Sequence, residues 1–308
     1  MTDDNRISRR DFVGMTATAG IVIASSPISR AQTRQLPTRE IPSTGERIPV
    51  VGLGTADEFN TMPADGGAEL REVLRTLVNH GGSLVDTSPA YGNAEIVLGE
   101  LLADFDRVDS LLISSKVRIE GREAGLASLE RSVDRIGIEP FDILFVHDLV
   151  DVATQLANLR DWKAAGRVRY VGISTSEYGH FEPMETLART EELDFIQINY
   201  GVADTLAGER VIPAAVDNGI AVMANSPFGD GRYFSRLAGR ELPAWAGEID
   251  CDNWAQFSLK FVLGHPDVTC VIPGTSNPRH MADNALAGSG IMPNAAMRNR
   301  MAQHLRNL

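Results

Sequence analysis

The chain has 308 residues, 43% of them hydrophobic and 23% charged, with a net charge of −12 at pH 7. That length holds one large domain or two small ones, and the composition is that of a globular chain with a substantial core. The acidic balance argues against nucleic acid or an anionic membrane surface as the main partner.

Residues 1–31 read differently from the rest. Arg6, Arg9 and Arg10 precede a weakly apolar stretch over 12–26, and Ser29-Arg30-Ala31 sets small residues before a cleavage point. A basic start, an apolar middle and a small-residue exit are the layout of an export signal. Ser8-Arg9-Arg10-Asp11-Phe12-Val13 resembles the twin-arginine type, which implies export of the folded protein to the periplasm. A retained N-terminal anchor and a cytoplasmic protein are the alternatives. The middle is too short and too rich in Gly, Ala and Thr for a comfortable membrane span, so no stable membrane partner is expected beyond the export machinery. The folded part is expected over 32–308.

Short apolar runs then recur, at 50–53, 83–85, 111–115, 142–146, 169–173, 195–198, 220–223 and 268–272. Their continuous hydrophobicity suits parallel strands buried on both faces. Helical patterns lie between them. Over 69–79, Leu70, Val73, Leu74 and Leu77 form one stripe before Gly81, and over 93–102 Ile96, Val97, Leu98 and Leu101 follow Asn93 as N-cap. Leu126, Leu129, Val133 and Ile136 mark a helix over 126–136, and another runs over 152–163. Residues 292–308 read as a helical extension on the outside. Eight strands alternating with helices predict a single-domain (β/α)8 TIM barrel, with the doubly wound sheet as the main rival. No linker, low-complexity tract or charge block divides 32–308. Cys251 and Cys270 are read as free thiols, and no CxxC or Cys/His cluster points to a metal.

Four polar residues fall at or just after the ends of three of these runs: Asp86 and Tyr91 in Asp86-Thr87-Ser88-Pro89-Ala90-Tyr91-Gly92, then Lys116, then His147. On a parallel barrel those ends converge on one rim, where barrel enzymes keep their chemistry. Each residue alone is commonplace: an Asp-Thr-Ser caps helices, and a lone Tyr or Lys is usually half-buried or solvated. An acid, a phenol, an amine and an imidazole at one rim make a proton-transfer site.

The order and spacing resemble the aldo-keto reductase family. Gly52-Leu53-Gly54-Thr55 is similar to its first strand end, and Asp86 to Gly92 to its most recognisable motif. The segment 141–147 ending in His147, the segment 166–174 ending in Ser174, Gln197-Ile198-Asn199-Tyr200, Asn225-Ser226-Pro227-Phe228-Gly229 and Ile272-Pro273-Gly274-Thr275 with Asn284 continue the match. The resemblance implies an NAD(P)H-dependent oxidoreductase that interconverts a small aldehyde or ketone and its alcohol. Tyr91 would be general acid in reduction and general base in oxidation, its pKa lowered by Lys116, with Asp86 holding Lys116 and His147 orienting the substrate oxygen.

No GxGxxG follows a strand, so the cofactor is expected across the barrel mouth instead. By resemblance, Ser174 and Gln197 would hold the nicotinamide carboxamide, and Thr55, Asn225, Ser226, Phe228 and Gly229 would line the nicotinamide and pyrophosphate. Gly274, Thr275, Ser276, His280, Asp283 and Asn284 would take the adenosine end. Three positions depart from the family pattern: Thr175 stands for an Asn, Asn225 for a stacking aromatic that Tyr200 or Phe228 would have to replace, and His280 for an Arg that grips the 2′-phosphate. NADPH is the first expectation, with NADH possible. The substrate pocket is expected from the loop 56–60 and from Phe228, Tyr233 and Phe234, with Trp245 and Trp254 read as external packing. A monomer or small homo-oligomer is expected. A redox-sensing or regulatory module with little turnover is the alternative from another class.

Overall fold

The structure, a computed structural model, describes residues 35–229 and 231–308. The expected export signal over 1–31 lies outside the described residues. An antiparallel hairpin comes first, β1 (Thr38–Glu40) with β2 (Arg47–Pro49). Eight parallel strands follow: β3 (Leu53–Gly54), β4 (Leu84–Asp86), β5 (Leu112–Val117), β6 (Phe141–His147), β7 (Val168–Thr175), β8 (Phe195–Asn199), β9 (Ala221–Asn225) and β10 (Cys270–Val271). Their order in the sheet is their order in the chain.

The sheet closes on itself. Val271 N–H donates to the Val50 carbonyl at 3.0 Å, Gly52 N–H to Val271 at 2.9 Å and Gly54 N–H to Pro273 at 3.1 Å. The backbones approach closely at this seam: a Cβ on Gly54 would stand 2.9 Å from the Ile272 carbonyl oxygen. The molecule is therefore a (β/α)8 barrel, as the periodicity predicts.

Helices α1 (Ala68–Asn79), α2 (Ala94–Leu102), α3 (Arg122–Ile136), α4 (Val152–Ala164), α5 (Phe181–Thr190) and α6 (Val211–Asp217) each cover one crossover. The connection from β9 to β10 carries α7 (Arg232–Leu237) and α8 (Trp254–Leu263), and α9 (Pro278–Ala287) and α10 (Ala295–Arg306) follow β10. The expected helices are all present, with two corrections. The helix expected over 126–136 starts at Arg122, because its first turn, Arg122-Glu123-Ala124-Gly125, carries none of the apolar stripe that marks the rest. Asn93 does stand at the N-cap of α2, but its side chain makes no capping bond.

Alternate strand residues face opposite ways and build two cores. Leu84, Ile143, Phe145, Phe195, Met223 and Ile272 fill the lumen, while Val85, Ile113, Leu144, Val146, Ile196 and Val222 pack outward against helix residues such as Leu74, Leu98, Leu129 and Phe257. The hairpin plugs the lumen at the strands' amino ends, where Ile41 and Ile48 join the inner cluster. Its turn is tied to β7 by Glu46, which accepts from the Tyr170 hydroxyl at 2.6 Å. With the lumen closed at the bottom, the opposite rim is where the barrel interior opens to a ligand. Cys251 and Cys270 are both buried and unpaired in disulfides. No helix among the described residues is long and apolar enough to cross a membrane.

Candidate active site

Strand register brings the four rim residues together. Asp86 ends β4 beside Ser114 of β5, Lys116 lies beside Phe145 of β6, and His147 ends β6 beside Ser174 of β7. Lys116 is fully buried and donates to Asp86 Oδ2 at 2.6 Å and to the Thr87 carbonyl at 2.8 Å. The other Asp86 oxygen accepts from Ser114 Oγ at 2.5 Å and, across the lumen, from Gln197 Nε2 at 2.9 Å. Every charge at the floor is thus paired and hydrogen-bonded, the condition for tolerating a buried ion pair.

Tyr91 stands above this pair. The turn after β4 holds it: Tyr91 N–H donates to the Ser88 carbonyl, and Ser88 Oγ accepts from Ala90 N–H, both at 3.1 Å. The next residue must be glycine. Gly92 has φ +57, and a Cβ there would fall 2.0 Å from Asn60 Oδ1. Lys116 Nζ lies 5.0 Å from the centre of the Tyr91 ring, and the His147 ring meets Tyr91 edge-on with centroids 6.3 Å apart.

Burial is the largest influence on Tyr91 and raises its pKa above the ordinary phenol value; the Lys116 charge works against this, and Asp86 adds to it. The net direction corrects the expectation of a lowered pKa: Tyr91 keeps its proton at neutral pH. Burial by itself would lower the Lys116 pKa, but Asp86 and then Tyr91 outweigh it, so the net shift is upward and the ammonium stays charged. Burial, and next the Lys116 charge, lower His147 to about 4, only partly offset by Asp148 and Asp86. The imidazole is neutral at pH 7, with Nδ1 3.1 Å from Ser174 Oγ. Asp148, at φ 51, is held by Arg118 Nε at 2.8 Å and by Thr175 Oγ1 at 3.2 Å. Thr175, the departure from Asn, is therefore spent on Asp148, and also on His180 Nδ1 at 2.9 Å.

Two cavities open on this rim. The inner one, of about 380 Å³, is lined by Tyr91, His147, Asp86 and Thr55 with residues 56–58, Ser176, residues 225–228, Ile272 and Gly274. The outer one, of about 580 Å³, is lined by Phe234, residues 253–255, Thr275, His280, Asp283 and Asn284. Glu58, Phe228, Gly231 and Gly274 line both, so the two form one long cleft.

Of the expected cofactor residues, Thr55, Asn225, Ser226 and Phe228 lie on the inner wall, and Gly274, Thr275, His280, Asp283 and Asn284 on the outer. Ser174 and Gln197 lie one layer beneath, bonded to His147 and Asp86. Gly229 and Ser276 line neither cavity. Tyr200 is buried against Phe261 and His265, so of the two residues expected to replace the stacking aromatic only Phe228 lines the cleft. Trp254 lines the outer cavity, contrary to its reading as external packing, whereas Trp245 packs on Phe257 and His304. Ser176 and Ile272, which directly follow β7 and β10, and Gly231 and Asn253, which lie on the long return from β9 to β10, are further wall residues that were not expected there.

The sequence profile of the aldo/keto reductase family matches residues 50–294. An aldo-keto reductase of Bacillus subtilis is 26% identical over 201 residues, which are 59% of this chain and 59% of that protein. The NADH-specific methylglyoxal reductase of Escherichia coli is 26% identical over 293 residues, covering 77% of this chain and 89% of the relative. The crystal structure of an aldo/keto reductase from Klebsiella pneumoniae, in complex with NADP and acetate, superposes with a TM-score of 0.73 at 23% identity, over 85% of this chain and 93% of that one. With the profile spanning all eight barrel strands from the seam onward, the chain belongs to the aldo/keto reductase family.

Proposed function

We propose that the protein reduces an aldehyde or ketone to its alcohol, reversibly, with a nicotinamide dinucleotide as redox partner. One observation carries this reading: a buried, fully bonded Asp86–Lys116 pair beneath Tyr91 and a neutral His147, at the closed end of a cleft long enough for an extended ligand. The cleft's own residues fit a dinucleotide. Gly54 and Gly274, bridged side by side at the seam, both line it without a Cβ to narrow it. Asn225 Oδ1 is a buried acceptor without a partner on the inner wall. Thr275 and the N-terminus of α9 close the outer end.

When bound, the nicotinamide supplies or takes up the hydride at the substrate carbon. The protein manages the proton. As the carbonyl oxygen gains charge, the Tyr91 O–H bond breaks and its proton passes to that oxygen; the tyrosinate left behind is stabilised by the Lys116 ammonium. With Nδ1 engaged by Ser174, His147 presents its other ring nitrogen to the same oxygen and orients it. Asp86 touches no substrate atom in this scheme; it holds the ammonium in place. In the oxidation direction each transfer runs backward.

NADPH is the cofactor of first choice, with NADH also used. His280 on the outer wall stands where the resemblance places an Arg, and an imidazole lacks the permanent charge and two-pronged donor geometry with which a guanidinium grips a 2′-phosphate. The test is hydride transfer from 4-deuterated NADPH and NADH to a panel of aldehydes. Deuterium in the product alcohol with both cofactors is expected. Tight binding of NADPH without transfer to any carbonyl would favour the regulatory alternative.

A further inference from the structure

The full charges that face the inner cavity are unbalanced. Lys116 lies below the floor and is neutralised by Asp86 at 2.6 Å, and His147 carries no charge at neutral pH. No Lys or Arg lines either cavity among the described residues. Asp57 and Glu58, in contrast, both line the inner cavity, are exposed, and make no hydrogen bond or ion pair among the described residues. Glu58 reaches the junction of the two cavities: its Cγ is 3.6 Å from where a Cβ on Gly274 would stand. The rest of the wall nearest the rim, such as Ala56, Ser176 and Asn225, is uncharged.

We propose that this cavity sorts carbonyl substrates by charge, favouring those that carry an amine or other cation and rejecting those that carry a carboxylate. The inference rests on the reductase reading of the same site and names its substrate class. A carboxylate entering the cavity would lose water against two like charges with no cationic side chain to meet it. An ammonium in the same place gains attraction from both. The phosphates of a bound dinucleotide add charge of the same sign, so loading the cleft strengthens the bias.

Three para-substituted benzaldehydes test this: 4-carboxybenzaldehyde, 4-(hydroxymethyl)benzaldehyde and 4-(trimethylammonio)benzaldehyde. Each is compared between the wild type and the Asp57→Asn/Glu58→Gln double variant, so that differences in intrinsic reactivity cancel. Both side chains are exposed and unbonded, and circular dichroism checks that the variant is folded. The wild type is expected to favour the ammonium compound over the carboxylate in kcat/KM. The double variant should lower that ratio about tenfold, the order expected of two partly screened charges. In 0.5 M salt the wild-type ratio should shrink in the same direction. Calorimetric binding of the same three compounds to the cofactor-free protein, which has no hydride to give, reads the charge order without turnover. Failure to reduce any of them would therefore sink the reductase reading while binding still decides this one. A wild type that binds the carboxylate as tightly as the ammonium compound, or a double variant whose ratio stays within twofold, overturns the proposal.

Discussion

Tyr91 is asked to be an acid although its surroundings raise its pKa, and the conflict is resolved by what lies beneath it. A buried phenol holds its proton until an oxygen of much higher basicity forms beside it, and the Lys116 ammonium then stabilises the phenolate. The ammonium in turn depends on Asp86. Lys116→Met leaves a carboxylate buried without its cation and should cost about 3–5 kcal/mol in chemical denaturation, whereas adding Asp86→Asn to it should restore part of that loss. A Lys116→Met protein destabilised by less than about 1 kcal/mol would show that the pair is not held as described.

His147 makes a second prediction. Its folded pKa of about 4 lies below the unfolded value of about 6.5, so between those limits the unfolded chain binds a proton that the folded chain refuses. Stability is therefore full above pH 6.5 and falls as pH drops toward 4, by about 3 kcal/mol from this group. Burial lowers His265 to about 4 as well, so it adds a second proton of the same sign. His147→Gln should flatten the dependence of stability on pH by about one proton over that window; an unchanged slope contradicts the neutral, buried imidazole. The four rim residues were legible in the sequence because each falls at or just after the end of an apolar run, Asp86 and Tyr91 sharing one. The direction of the Tyr91 shift was not, because it depends on how deeply the ring is covered, and residue spacing does not record depth. Ser174 and Gln197 were legible as neighbours of the site, but not the bonds that turn them toward His147 and Asp86.

At the scale of elements, the parallel strands announced themselves by unbroken hydrophobicity, since both faces of each are covered. The hairpin of β1 and β2 did not. Its strands are three residues long, and its contribution to the core is mainly Ile41 and Ile48, too few to set a period. It has a role only once a closed lumen exists for it to plug. Ile48→Ala removes a fully covered side chain from that plug and should cost about 2–5 kcal/mol in urea unfolding. A cost below about 1 kcal/mol would mean that the lumen does not depend on the hairpin. Trp254 was misjudged for a related reason. It opens α8 on the long return from β9 to β10, and its place on the outer cavity follows from where that return lands on the rim.

At the scale of the whole molecule, one end of the barrel is sealed and the other carries all the chemistry. The net charge of −12 extends into the cleft, where Asp57, Glu58 and Asp283 line the walls and no Lys or Arg does among the described residues. On the function proposed above, a dinucleotide held there would be gripped by backbone, hydroxyls and shape more than by side-chain charge, and weak selection between NADPH and NADH is expected. The proposed chemistry turns on Tyr91 delivering the proton in carbonyl reduction. The most direct measurement is steady-state NADPH oxidation, followed at 340 nm with a reactive aldehyde, by the wild type and by Tyr91→Phe, alongside a fluorescence titration of NADPH binding to each. In Tyr91→Phe, kcat is expected to fall about 10²–10⁴-fold while the variant still folds and binds NADPH. A Tyr91→Phe protein that keeps its turnover within about fivefold of the wild type, far short of what a general acid contributes, would contradict that role.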